Sequence, residues 1–272
     1  MSKALLEQSQ SYIFSSSTAS GATNVSSDGS TFNVNLSPPI VIGPDVLDCS
    51  IGVLQASVWN TSYNIASNYK NQHFTFTTTV APAGTYSFTI PDGLYSVAGL
   101  NSYLSSQFVN LGLPGNLITI SGNESTNKSI LTFLTTGDSV NFTVVTSVRE
   151  VLGFNSAVVT APSANFSYYS NNVAQFDRIN EYIIRSNLVV NGIQLNTIPQ
   201  GLIGSVPVNV APGSLITYKP PNVVWFSARE LIGSSRSNLR FELLDQELRA
   251  TPTAGDTWSV TLIIKTITKI TL

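Results

Sequence analysis

Trp258-Ser259-Val260-Thr261-Leu262-Ile263-Ile264-Lys265 alternates: Trp258, Val260, Leu262 and Ile264 fall on one side of an extended chain, and Ser259, Thr261, Ile263 and Lys265 on the other. Successive side chains of a strand point to opposite faces, so a period of two predicts a strand with one buried face. Upstream, Leu239, Phe241 and Leu243 point in while Arg240 and Glu242 point out. Further runs predict strands at 32–36, 46–59, 182–190, 205–210, 214–218 and 223–227, with a bulge at Gly52 and a stop at Pro38-Pro39. Many short strands separated by turn residues predict an all-β (mainly β) sandwich or barrel.

The period changes once, near the middle. Tyr86-Ser87-Phe88-Thr89-Ile90 alternates and Pro91-Asp92-Gly93 breaks it; after Ser96, a candidate cap, Val97, Leu100, Leu104 and Phe108 recur on one helical face. Phe74–Val80 pairs with Thr85–Ile90 around Ala83-Gly84, and strands follow at 117–120, 129–134 and 139–145. Ser147-Val148-Arg149-Glu150 has the spacing of a capping box for a short helix that stops at Gly153, and Ser156–Ala174 reads as a loop. A small α+β module with one or two short helices is therefore expected at about 71–155. Residues 1–30, rich in Ser, Thr, Gly and Asn, are expected to form a flexible N-terminal arm.

Composition narrows the function. Charged residues are 10% of the 272, well below the ~25% of ordinary globular proteins, and mean hydropathy is +0.17. A surface with so little net repulsion reads either as one that self-associates or as a neutral, hydroxyl-rich β surface. Thirteen basic against 15 acidic residues give a net charge of −2, which argues against direct nucleic-acid binding. Most basic residues from position 149 onward are arginines with an acid nearby, so ion pairing is expected ahead of anion capture. The start of the chain lacks the apolar core of a signal peptide, and no run has the length of a transmembrane segment. Synthesis and folding inside a cell are expected, and the Asn-x-Ser/Thr sequons at 24, 60, 123, 127, 141 and 165 carry little weight.

Chemistry-bearing patterns are sparse. The single histidine, His73, would have to serve any triad, and the single cysteine, Cys49, reads as a buried thiol. No His/Cys spacing suits zinc and no phosphate loop occurs, so no cofactor and no metal are expected. Asp245, Glu247 and Asp256 could be read as a calcium loop, and Asp245 with Glu247 as a glycosidase acid/base pair; salt bridges to Arg240 and Arg249 are the preferred reading. Phe166-Ser167-Tyr168-Tyr169 reads either as a stacking platform for sugars or as a packed anchor. Arg240, Glu242, Arg249, Tyr168 and Tyr169 are the expected interface residues, and no catalytic residue is expected.

Several runs in order resemble a family: Ala56–Ile65, Ile90-Pro91-Asp92-Gly93-Leu94-Tyr95, Val151-Leu152-Gly153-Phe154, Glu181–Val189, and Leu243–Arg249 through Trp258–Leu262. Over residues 46–268 the chain resembles the minor capsid (penton) proteins of virophages, polinton-like viruses and related small DNA viruses. The resemblance implies a single jelly-roll capsid domain, here 31–272. It implies a structural virion protein that forms homopentamers at icosahedral five-fold vertices beside a double jelly-roll major capsid protein, with no enzymatic site. Residues 1–30 match nothing in that family. The alternatives are a β-sandwich carbohydrate-binding spike or adhesin using Tyr168 and Tyr169, and a glycoside-active jelly roll using Asp245.

Overall fold

The computed structural model describes residues 3–176, 179–190, 192–195 and 198–271. The chain forms two compact units: one takes in the chain up to Ser62 and from Ile179 onward, the other lies between Tyr63 and Arg178. In chain order the first unit opens with β1 (Lys3–Ser15), β2 (Ala22–Thr23), β3 (Thr31–Val41) and β4 (Val46–Trp59). The second unit contributes β5 (His73–Thr78), β6 (Gly84–Thr89), α1 (Val97–Asn110), β7 (Ile118–Asn123), β8 (Lys128–Phe133), β9 (Ser139–Asn141), α2 (Arg149–Leu152), β10 (Val158–Thr160) and β11 (Phe166–Tyr169). The first unit resumes with β12 (Glu181–Ser186), β13 (Ile193–Leu195), β14 (Ile198–Pro207), β15 (Leu215–Tyr218), β16 (Phe226–Ser227), β17 (Ser235–Leu244) and β18 (Ser259–Thr271).

The first unit is a jelly roll, and its strand pairing shows why. Take β1, β3, β4, β12, β14, β15, β17 and β18 as one series. The first pairs with the last, β1 with β18; then β3 with β17, β4 with β15, and β12 with β14, all antiparallel. This is one long two-stranded ribbon. Rolling it brings β18 against β4 and β12 against β17. The result is two sheets, β1-β18-β4-β15 with β16 also on β4, and β13-β14-β12-β17-β3-β2. A rolled antiparallel ribbon closing into two facing sheets is the jelly-roll solution for burying one face of each strand.

Alternation fills the space between the sheets. Phe32, Phe241 and Trp258 are each at most 1% exposed. Phe32 stacks on Phe241 at 5.3 Å and meets the edge of Trp258 at 5.0 Å, while Phe14 of β1 sits 4.8 Å from Phe241. The Trp258 indole N–H donates to the Gly29 carbonyl at 3.1 Å, so its polar atom is satisfied within the core.

Residues 3–15 are not an arm but the outermost strand of the first sheet, in unbroken register with β18 from Lys3↔Thr271 to Ser15↔Ser259. Its partner lies at the far end of the chain, and most of its side chains are exposed, so it carries little hydrophobic signature of its own. Two smaller readings also change. β4 bulges at Leu54 and again at Leu47, because Thr261 faces Gln55 and Leu262 faces Val53, while Ile267 faces Asp48 and Thr268 faces Val46. Gly52 has another purpose: a Cβ there would come within 2.2 Å of Val223 Cγ1, so glycine lets the 223–225 segment lie on the sheet. β3 runs through Pro38-Pro39 to Val41, because its ladder with β17 jumps from Asn35↔Asn238 to Ile40↔Arg236 and β2 covers only Val34 and Asn33, so the prolines lie in a bulge on an open edge where no N–H is needed.

The second unit packs α1 with two small sheets, β10-β9-β5-β6 and β11-β8-β7. Leu100, Leu104 and Phe108 lie fully buried along one face of α1, and Phe108 meets Phe76 of β5 at 5.0 Å. Ser96 caps the helix by accepting from the Gly99 N–H at 3.0 Å, and Asn101 ties it to β7 by accepting from the Ile120 N–H at 2.7 Å. α2 begins after Val148 with no side-chain cap, and Ser147 hydrogen-bonds the Phe142 carbonyl instead; Gly153 ends it with φ 76°. The stretch 156–174 contains two short strands, β10 and β11, where a loop was expected. Among the described residues, no helix is long and apolar enough to cross a membrane.

Candidate functional site

The alternation of β12 and β17 puts Arg185, Arg240 and Glu242 on the outer face of the second sheet. Glu242 is held from both sides: Oε2 lies 2.8 Å from Arg185 Nη1, and Oε1 lies 2.6 Å from Arg240 Nη2. Arg240 is the more open cation, its side chain 57% exposed against 31% for Arg185. Asn187 braces the same patch, accepting from the Arg240 backbone N–H at 3.0 Å, and Asn238 donates to Asn35 at 2.7 Å. A recess of about 300 Å³ opens beside this trio and is floored by Gly201.

Arg249 does not join that cluster. It closes its own turn, donating from Nε to Asp245 Oδ2 at 2.8 Å and reaching Glu247 through Nη1 at 2.5 Å. Asp245 is fully buried, and its Oδ1 accepts from the Glu247 and Arg249 backbone N–H groups, each at 2.9 Å. A carboxylate with both oxygens occupied this way is a turn brace. It has no free lone pair facing a water or a sugar, which speaks against the acid/base reading of Asp245. Arg240, the other expected partner, bonds Glu242 instead. No group of three or more His, Cys, Asp or Glu side chains suited to a metal occurs among the described residues.

In the second unit Tyr168 and Tyr169 are neighbours on β11 and so point to opposite faces. Tyr168 packs 4.8 Å from Phe166 and 6.2 Å from Phe133, and its hydroxyl donates to the Thr160 carbonyl at 2.9 Å. Tyr169 is 57% exposed on the other side. The two rings therefore share no platform. His73 opens β5 with its backbone N–H on the Thr146 carbonyl, and its buried Nδ1 meets no hydrogen-bond partner. A triad histidine needs that nitrogen held by an acid.

Titration is perturbed mainly by burial. Burial, with the charges of Asp48 and Glu230 behind it, pushes the Cys49 thiol up to about 11. Burial also raises Tyr182, whose hydroxyl meets Ser62 Oγ at 3.0 Å, and Tyr12. At Asp28 burial works upward, but hydrogen bonds from Ser26 and Ser30 outweigh it and lower the carboxyl.

The sequence did not single out the outer face of the first sheet. Trp59 of β4 and Leu215 of β15 face each other across the ladder and are 38% and 43% exposed. On the same face Trp225, also 38% exposed, lies over the Gly52 region, with Lys265 Nζ 4.6 Å from its ring centre. Inside the mouth of the sandwich, the inward side chains Gln8, Gln10 and Tyr12 of β1 line a groove of about 1010 Å³ together with Pro38, Pro39 and Thr266. The alternation around Trp59 and the Gly52/Trp225 pairing of small with large were visible as residues, but their shared face depends on the bulge at Leu54.

No family model and no curated protein matches the sequence. Among solved structures, the chain is similar to the selenomethionine-labelled mavirus penton protein in its crystal structure, with 10% sequence identity, 97% of this chain and 100% of that chain covered, and a TM-score of 0.46.

Proposed function

We propose that this protein is a structural virion protein, a penton (minor capsid) subunit that closes homopentamers at icosahedral five-fold vertices beside a double jelly-roll major capsid protein. The observation that carries the reading is the rolled ribbon itself, with β1 to β18 enclosing the sandwich and the second unit inserted between β4 and β12. It joins the ordered motifs that resemble virophage penton proteins. Fold alone does not fix function, so the surfaces matter too.

A five-fold ring needs two different complementary patches on each subunit, because its contacts are head-to-tail. The two sheets offer such a pair on their outer faces. One carries exposed Leu215 with Trp59 and Trp225, tryptophan being a residue type enriched at interfaces. The other carries the Arg185–Glu242–Arg240 trio. Glu242 pre-orders the guanidinium of Arg240, which suits it to a neighbour's carbonyls or carboxylate. Arg249, Tyr168 and Tyr169 complete the proposed contact set. With charged residues at 10%, little repulsion opposes close packing.

Antibody labelling of an epitope tag in the Ala211–Ser214 turn tests the assignment on intact particles. Label confined to particle vertices is the expected result. Label spread over the facets, or particles that lack the protein, would refute it.

A further inference from the structure

The four edges of the sandwich are built differently. The first sheet ends on one side in β15 and β16, of four and two residues, separated by a segment that contains Pro220-Pro221. The second sheet ends in β13, of three residues, and in β2, of two, beyond which β3 is open but interrupted by Pro38-Pro39 and a bulge. Short strands and prolines are the usual means of stopping a sheet from pairing with another chain. β1 has neither. It runs 13 residues without proline, glycine or bulge, and no strand among the described residues pairs with its outer side. Between Ala4 and Ser15 it holds one charge, Glu7, which reaches across its own sheet to Lys265 at 3.8 Å. Leu5 and Ile13 stand on its outer face 68% and 76% exposed.

We propose that β1 is an intermolecular pairing edge, and that its occupant is β1 of a second copy of this chain, antiparallel and centred on Ser9. The choice of occupant follows from the edges. On a second copy three edges of the sandwich are blunted and one is open, and the edge strands of the inserted unit are at most six residues long, so only its own β1 can meet β1 at full length. The strand is also complementary to itself about Ser9. In that register all 13 residues pair, Leu5 of one copy lies opposite Ile13 of the other, Gln8 lies opposite Gln10, and Glu7 faces Ser11, so no like charges meet. Both exposed apolar side chains of the outer face are covered at once. The two first sheets then become one continuous sheet across a two-fold axis. The inference stands apart from the vertex reading, because a two-fold contact cannot close a five-membered ring.

The register provides the test. On the axis Ser9 faces Ser9, at a separation that suits a disulfide, whereas Ser11 faces Glu7. In full-length protein carrying Cys49→Ala, Ser9→Cys is expected to give covalent dimer on mild oxidation, and Ser11→Cys roughly tenfold less or lower still. Adding Leu5→Lys and Ile13→Lys to Ser9→Cys sets lysines opposite each other and is expected to abolish the dimer while the circular dichroism spectrum stays unchanged. Equal cross-linking at positions 9 and 11, or no dimer from Ser9→Cys, would overturn the proposal. Five-fold rings that persist without the cross-link would leave the vertex reading standing while this one fell.

Discussion

The two units of this chain bury comparable cores by opposite routes. In the jelly roll, strands from opposite ends of the sequence are hydrogen-bonded neighbours: Ala4 lies opposite Ile270 and Phe32 opposite Phe241. In the inserted unit the partners are mostly near one another, as in the β5–β6 and β7–β8 hairpins and the helix between them. One core is organised by distant pairing and centres on Phe32, Phe241 and Trp258; the other is local and centres on Phe76, Phe108 and Phe133. The long-range unit pays for its closure in chain entropy and gains extended outer faces for contact. The local unit interrupts the ribbon between β4 and β12 without disturbing either strand's pairing.

Separate cores predict separate failures. Phe241→Ala and Phe108→Ala should each cost about 3–5 kcal/mol, since both remove a fully buried ring. In scanning calorimetry each should lower a different transition. Both variants shifting one shared transition would break the comparison.

Asn64 sharpens it from the polar side. Its Nδ2 donates to the Tyr95 and Phe176 carbonyls at 2.7 and 2.9 Å, its Oδ1 accepts from the Tyr95 N–H at 2.9 Å, and it is 1% exposed. Asn64→Ala strands those groups and should destabilise the inserted unit by about 2–3 kcal/mol in urea titration, leaving the jelly-roll transition in place. Gly52→Ala acts on the other unit, where the new methyl meets Val223. A loss of about 1–3 kcal/mol confined to the jelly-roll transition is expected.

The smallest effect concerns Cys49. Its thiol is raised in the folded state, so folding disfavours the thiolate, and the stability it contributes is lost as pH rises from the ordinary thiol range toward about 11. Native protein at pH 8 should resist iodoacetamide, and urea-unfolded protein should react. Rapid labelling of native protein would place Cys49 outside the core.

The same contrast explains what could be read from the sequence. α1, its Ser96 cap and the β5–β6 hairpin were legible because every residue that defines them lies within a few positions. β17 and β18 were legible because one face of each is buried, which leaves a period of two. β1 was not, because from Leu5 to Ser11 both its faces meet solvent and its register is set by residues some 250 positions away. β10 and β11, three and four residues long, carry too little alternation to be told from loop. Among the candidate contact residues, charge spacing grouped Asp245, Glu247 and Asp256 with Arg240 and Arg249; Arg249 does hold Asp245 and Glu247, but Arg240 joins Arg185 on Glu242, a meeting that needs β12 beside β17.

The vertex assignment rests on whether five copies close a ring. Negative-stain imaging of the purified protein tests this directly. The account predicts rings with five-fold symmetry and a mass five times the 29.1 kDa chain; a strictly monomeric protein, or rings of another order, would contradict it.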